Sequence, residues 1–350
     1  MAACTRDMLR RFVGFGAFVV LGIVVTVVST RGATPEGASR WETATQEQEL
    51  TFNLEWCRHA TVHEGRLHVV GVPEGIQATN AVWVGRLDAG RWTLLAGPIV
   101  GSVYTMLSWN GRLVVGGWIE SAGRVREASV IWRNGTVWDR FDVPRTKALR
   151  GRVELLAGQG DKSLTVAGQS LQIGDADPVS VACWRGGKWM AVGHGLRSPP
   201  GGTVEGLAVA PDGGVYLLVE EYEPVRRSVL WHWPDRGGWR RLQGAEHMNP
   251  LAVTPDGAVY VGGWFKPPLV REPTPLARWD GQHWQGVGGG LTHPPPAYPP
   301  GARVGVEVTA LGTWANDLVA GGGFVRAGEV EANLIARWDG RAWHACGEGW

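Results

Sequence analysis

The chain is poor in cysteine and in charge, and it lacks any helical pattern beyond its N-terminal segment. Four cysteines in 350 residues form no CxxC pair and show no Cys/His spacing, so no structural metal is expected. Charged residues make up only 19%, the net charge is +1 and no Lys/Arg run resembles a phosphate-tracking surface. No nucleic-acid partner is therefore expected. Past residue 40 hardly any stretch repeats apolar residues at helical spacing, which argues against helical bundles and α/β folds. Neither GxSxG nor HExxH appears, so the commonest hydrolase signatures are missing and no cofactor is expected.

Long hydrophobic runs are also missing, with one exception. Arg10-Arg11 precede an almost unbroken apolar run over residues 12–28, and Ser29-Thr30-Arg31 follow it. Basic residues ahead of such a core match an export signal, with Val27-x-Ser29 as the best cleavage candidate. The same run, at the short end for a membrane span, also fits an uncleaved anchor. Both readings put residues 41–350 outside the cytoplasm, since the arginines stay inside. The chain is expected to be secreted, periplasmic or membrane-anchored facing outward, touching a membrane only through residues 12–28 if these are retained.

Glycine (52), proline (21) and tryptophan (20) are abundant, as in proteins built from short strands and tight turns. "ARWDGQHWQGVGGGL" from Ala277 and "ARWDGRAWHACGEGW" from Ala336 are nearly the same fifteen residues. Anchored on the second tryptophan, the pattern recurs at Trp92, Trp138, Trp189, Trp239, Trp284 and Trp343, with spacings of 46, 51, 50, 45 and 59 residues. Each anchor follows a Gly-containing turn, and five or six residues earlier stands Leu87, Trp132, Trp184, Trp233, Trp279 or Trp338. Repeats of this length signal propellers or solenoids. Within a repeat, hairpin signals such as Asn110-Gly111, Asp212-Gly213 and Asp256-Gly257 divide four strands. The expected fold is all-β: a six-bladed β-propeller of four-stranded antiparallel blades behind an N-terminal signal or anchor. The domain spans 41–350 after a 1–40 leader and linker, with repeats at about 51–101, 102–150, 151–202, 203–245, 246–302 and 303–350. The six anchor tryptophans read as scaffold, packing against their partners across a turn.

"LVAGGGF…AGEVEANLIARWDGRAW" and "VYVGGWF…PLARWDGQHW" resemble the IARWDG-type repeats of secreted bacterial β-propellers. They are also similar to kelch repeats, in which a Gly-Gly doublet closes the second strand and an aromatic pair brackets the third turn. The match is close in repeats two, five and six; in repeats one and four, Val70-Gly71 and Val219-Glu220 stand in the doublet's place. The resemblance implies a propeller fold and extracellular placement, and transfers no catalytic residue.

In an up-and-down blade the longer connections share one face. They are read at residues 119–129, 169–180, 220–228, 266–275 and 292–305, while the short-turn face reads as inert. Loops displayed together on a rigid scaffold are where such folds bind. The candidate ligand-binding residues there are His194, Glu221, Glu223, Arg226, His247, Arg271, His293 and Tyr298; no metal site and no catalytic residue is identified. "THPPPAYPPG" from Thr292 reads as a stiff polyproline spacer. Cys57 and Cys346, at the two ends of the array, are a candidate clamp. The expected function is an exported, monomeric, non-catalytic binding propeller that recognises an extracellular or envelope protein or glycan through its long-loop face. The alternative is an exported propeller enzyme acting on a polysaccharide or small metabolite through an acid/base pair at the axial mouth.

Overall fold

The computed structural model describes residues 59–346 apart from 74–75, 77–79, 89–90, 96, 142–146, 194–201, 223–226, 236, 243–247, 266–269, 272 and 293–305. Among the described residues the regular elements are strands, grouped as six consecutive four-stranded antiparallel units with a separate three-stranded sheet of Leu291–Thr292, Arg326–Ala327 and Val330–Glu331. The first strands are His59–His63, Ile99–Trp109, Leu149–Gln159, Gly202–Val209, Leu251–Val253 and Val308–Trp314. The second strands are Arg66–Gly71, Arg112–Ala122, Ser163–Ile173, Val215–Glu221, Val259–Phe265 and Asp317–Gly322. Third and fourth strands complete each meander, ending with Ile335–Trp338 and Trp343–Ala345 in unit six. Units one and two are joined edge to edge by the pairs Ala81↔Val100 and Val82↔Ile99.

Each first strand packs against the first strand of the next unit, from unit one through unit six. Meanders whose first strands gather around one axis make a β-propeller. The second strands are the most buried, as in the Leu318 to Gly322 run, because both of their faces meet a neighbouring unit. The tight turns owe their shape to residues that tolerate positive φ: Asn110 and Gly111, at φ 49° and 66°, close the first hairpin of unit two.

The glycine doublets have a steric cause. A Cβ on Gly116 would stand 2.7 Å from Val153 of unit three, and one on Gly117 would stand 2.1 Å from the Ser102 carbonyl oxygen. In unit two the first glycine therefore lets the next unit approach, and the second lets the unit's own first strand come close.

The tryptophan pairs lie in register across the last turn in three units: Trp184↔Trp189, Trp279↔Trp284 and Trp338↔Trp343, with ring centroids 5.1–5.4 Å apart. Leu87↔Trp92 follows the same rule. Unit two departs from it. Trp138 pairs with Arg133, not Trp132, so the two rings point to opposite faces. Trp138, Trp189, Trp284 and Trp343 are buried, whereas Trp92 and Trp239 are half-buried.

The outer tryptophan of one unit is seated on the segment that leaves the unit before it. The Trp239 indole N–H donates to the Val192 carbonyl at 3.2 Å, and that of Trp343 donates to Val287 at 3.4 Å. The residue after each valine is a glycine, Gly193 or Gly288, that lies under the rings. Phe141, leaving unit two, packs edge-on against Trp184 and Trp189 at 5.0 and 5.6 Å. Each buried ring covers about 150–250 Å², roughly 4–6 kcal/mol of gross burial. These contacts bind unit to unit. Cys57, one half of the candidate clamp, lies outside the described residues; Cys183 and Cys346 are free thiols.

Candidate functional site

First strands descend from the long-loop face, so residues early in them ring its axial mouth. There, Arg152 and Glu154 of unit three lie between Tyr104 of unit two and Thr203 and Glu205 of unit four. The Arg152 guanidinium carbon sits 4.2 Å from the centre of the Tyr104 ring. Its Nε is 3.0 Å from Glu154 Oε1, a charge contact without hydrogen-bond alignment. Thr203 Oγ1 donates to Glu205 Oε1 at 2.8 Å and lies 3.1 Å from the Tyr222 hydroxyl. Burial pushes the Glu154 carboxyl above its ordinary range; Arg152 opposes the rise, and the Glu205 charge adds to it. Glu154 Oε2 is buried with no hydrogen-bond partner among the described residues. A raised carboxyl within electrostatic reach of a second one, beside an arginine and a tyrosine, can exchange a proton or hold a polar ligand.

Around this mouth the second strands end, and three large aromatics emerge there. Trp118, Tyr222 and Trp264 are 57%, 44% and 42% exposed, in units two, four and five. Trp118 and Trp264 each follow a glycine doublet. Register shifts between Gly116 and Ile119, and between Gly262 and Phe265, bracket them. A bulge re-aims a side chain, so the doublet that lets neighbouring backbone in also turns the next ring outward. The sequence carries this as "GGW", residues 116–118 and 262–264, in which the doublet that closes the second strand is followed directly by the ring.

Of the predicted binding residues, Glu221 and Arg271 are described. Glu221 Oε2 accepts from Arg227 Nε and lies 2.8 Å from its Nη2 and 3.8 Å from Arg241 Nη2, so it is held in an ion-pair cluster. Arg271 is exposed. His194, Glu223, Arg226, His247, His293 and Tyr298 lie outside the described residues, as does nearly all of the proline-rich spacer.

Two of the expected loops are corrected. Residues 119–129 are not a loop: the second strand of unit two runs to Ala122, turns at Gly123-Arg124 and re-enters at Val125. The 169–180 connection shrinks to residues 174–178, since the strands run to Ile173 and from Val179. In both places bulges carry the ladder past the point where the alternating pattern breaks. Among the described residues, no group of three or more His, Cys, Asp or Glu side chains is placed to hold a metal.

No protein-family model and no curated protein matches the chain. Among solved structures it is similar to one titled "YCF48 bound to D1 peptide", at 15% identity and a TM-score of 0.42, covering 80% of this chain and 76% of that one. It is similar to the β-propeller domain of the Trilobed protease from Pyrococcus furiosus at 12% identity and TM-score 0.43, covering 81% and 82%. It is also similar to a GH74 xyloglucanase from Xanthomonas campestris at 15% identity and TM-score 0.42, covering 85% of this chain and 53% of that one. At these levels the likeness carries no statement about ligand or reaction.

Proposed function

We propose that the chain is an exported, kelch-like propeller of six blades over residues 41–350, monomeric, that binds an extracellular or envelope protein or glycan through its long-loop face. The observation that carries this reading is the set of exposed rings, Trp118, Tyr222 and Trp264, at the same ends of three second strands. Flat apolar rings with polar rims stack on sugar faces and clamp extended peptides, and they are the side chains that dominate binding energy at interfaces. Arg152, Glu154 and Glu205 supply polar recognition at the centre of that ring. Export by residues 12–28 delivers the face to such partners. The test is a glycan array and an envelope-fraction pull-down with the exported form. Trp118→Ala and Trp264→Ala should each weaken capture tenfold or more with an unchanged melting temperature. Undiminished capture by the double variant contradicts the reading.

The raised carboxyl of Glu154 beside Glu205 favours a second reading, hydrolysis by an acid/base pair at the same mouth. Glu154→Gln would then abolish release of soluble fragments from a polysaccharide panel.

A further inference from the structure

The short turns of units one and two enclose a cleft on the face opposite the long loops. His63, His68, Arg86 and Arg133 line about 210 Å³ of space together with Glu64 and Leu95. The histidine rings meet edge-on with centroids 5.5 Å apart. His63 Nδ1 is 2.9 Å from Ser108 Oγ, and His68 Nδ1 donates to the Arg66 carbonyl at 2.9 Å. Each is thereby held in a fixed orientation.

The charges around the cleft do not balance. Asp88 serves two arginines, with Arg86 Nε at 2.6 Å and Arg66 Nη1 at 3.1 Å. Glu64 is largely exposed and reaches only to 4.0 Å from His63 Nε2. Arg133 donates through Nε to the Gly135 carbonyl at 2.7 Å. Its Nη1, however, is buried with no hydrogen-bond partner among the described residues. A buried guanidinium nitrogen without an acceptor is destabilising, and a charged oxygen placed against it forms the strongest class of hydrogen bond. The space is below the roughly 300–1,000 Å³ of pockets for drug-sized ligands, which limits the occupant to a small molecule.

We propose that this cleft binds a small free oxyanion, a phosphate or a short carboxylate, held by the Arg133 guanidinium with His63, His68 and Arg86 around it. Burial lowers both histidines below the ordinary imidazole value, His68 to about 4; Glu64 opposes the effect at His63, and nearby arginine charge adds to it at both. With its Nδ1 proton committed to the Arg66 carbonyl, neutral His68 leaves Nε2 free to accept from a protonated ligand oxygen or to take a proton when an anion arrives. The site lies away from the long-loop face and stands or falls independently of the reading given there.

The test follows the histidine ring signals of the full chain by NMR during separate titrations with inorganic phosphate, acetate and chloride at constant ionic strength. Saturable shifts of the His63 and His68 signals with phosphate alone identify a phosphoryl ligand; with acetate alone, a carboxylate; with both, an oxyanion site of either source. Arg133→Gln should weaken binding at least tenfold, and Arg133→Lys, which keeps the charge without the fork, should weaken it less. Glu64→Gln should tighten it by removing a competing negative charge. An equal response to chloride, or no saturable shift with either oxyanion, overturns the proposal. Should Arg133→Gln fail to fold, the wild-type titrations and Glu64→Gln decide alone.

Discussion

Gly288→Ala probes the joint between units most sharply. Gly288 has φ +51°, and a Cβ there would stand 2.2 Å from Trp338 Cζ3, 2.7 Å from Trp338 Cη2 and 2.7 Å from Trp343 Nε1. Two penalties add. An L-residue in the left-handed region costs about 1–2 kcal/mol, and overpacking against rings that cannot retreat costs about 1–3 kcal/mol. Gly123 is the matched control, since its φ is +56° and a Cβ there meets nothing within 4 Å. Gly123→Ala therefore carries the first penalty alone. The difference between the variants, about 1–3 kcal/mol, corresponds to roughly 1.5–5 °C in melting temperature for a domain of this size. The assay is thermal unfolding of both, followed by tryptophan emission and far-UV circular dichroism. If the two variants melt together, the rings do not sit on Gly288 and the account of the joint is wrong.

Trp284→Ala, which removes a buried ring packed on Trp279 and Phe265, should destabilise by about 3–5 kcal/mol; a shift of a degree or less in thermal melts refutes the packing role. Stability should fall as pH drops from about 6.5 towards 4, because burial lowers His68 from 6.5 to about 4 and also lowers His63 and His232. In that window the unfolded chain takes up protons that the native chain refuses, and the His68 share is about 3 kcal/mol. Glu154, raised, works in the opposite sense. Denaturant melts at pH 7 and pH 4.5 check this, and equal stability of wild type and His68→Gln at both values counts against it. For export, a reporter active only in the cytoplasm, fused after Trp350, should stay silent; strong activity ends that idea.

Much of the architecture was legible because it is carried by local chemistry. Turn glycines and the tryptophan spacing mark each hairpin, and hairpins repeated at an even period leave few ways to stack. Register is finer than period. Trp132 and Trp138 look like the other pairs in sequence, yet a one-residue difference at the turn sends the rings to opposite faces. Bulges were equally hidden: residues 119–129 lose alternation but keep the ladder. The residues that form the axial mouth and the oxyanion cleft were not legible. Glu154 meets Glu205, and His63 meets Arg133, across units that the chain visits tens of residues apart, and nothing in a single sequence records which first-strand position faces which neighbour. Trp118 and Trp264 stood beside a recognised motif and were still missed, since exposure follows from the bulge and not from the residue type.

The most direct test of the central claim is a hydrogen-exchange footprint of the chain, with and without a species captured from glycan array or envelope fraction. The account predicts slowed exchange at the ends of the second strands, around Trp118, Tyr222 and Trp264, and along the first-strand segment holding Arg152 and Glu154. Slowed exchange confined to the short turns at Glu64-Gly65, Asn110-Gly111 and Gly186-Gly187, with the long-loop face unchanged, would contradict it.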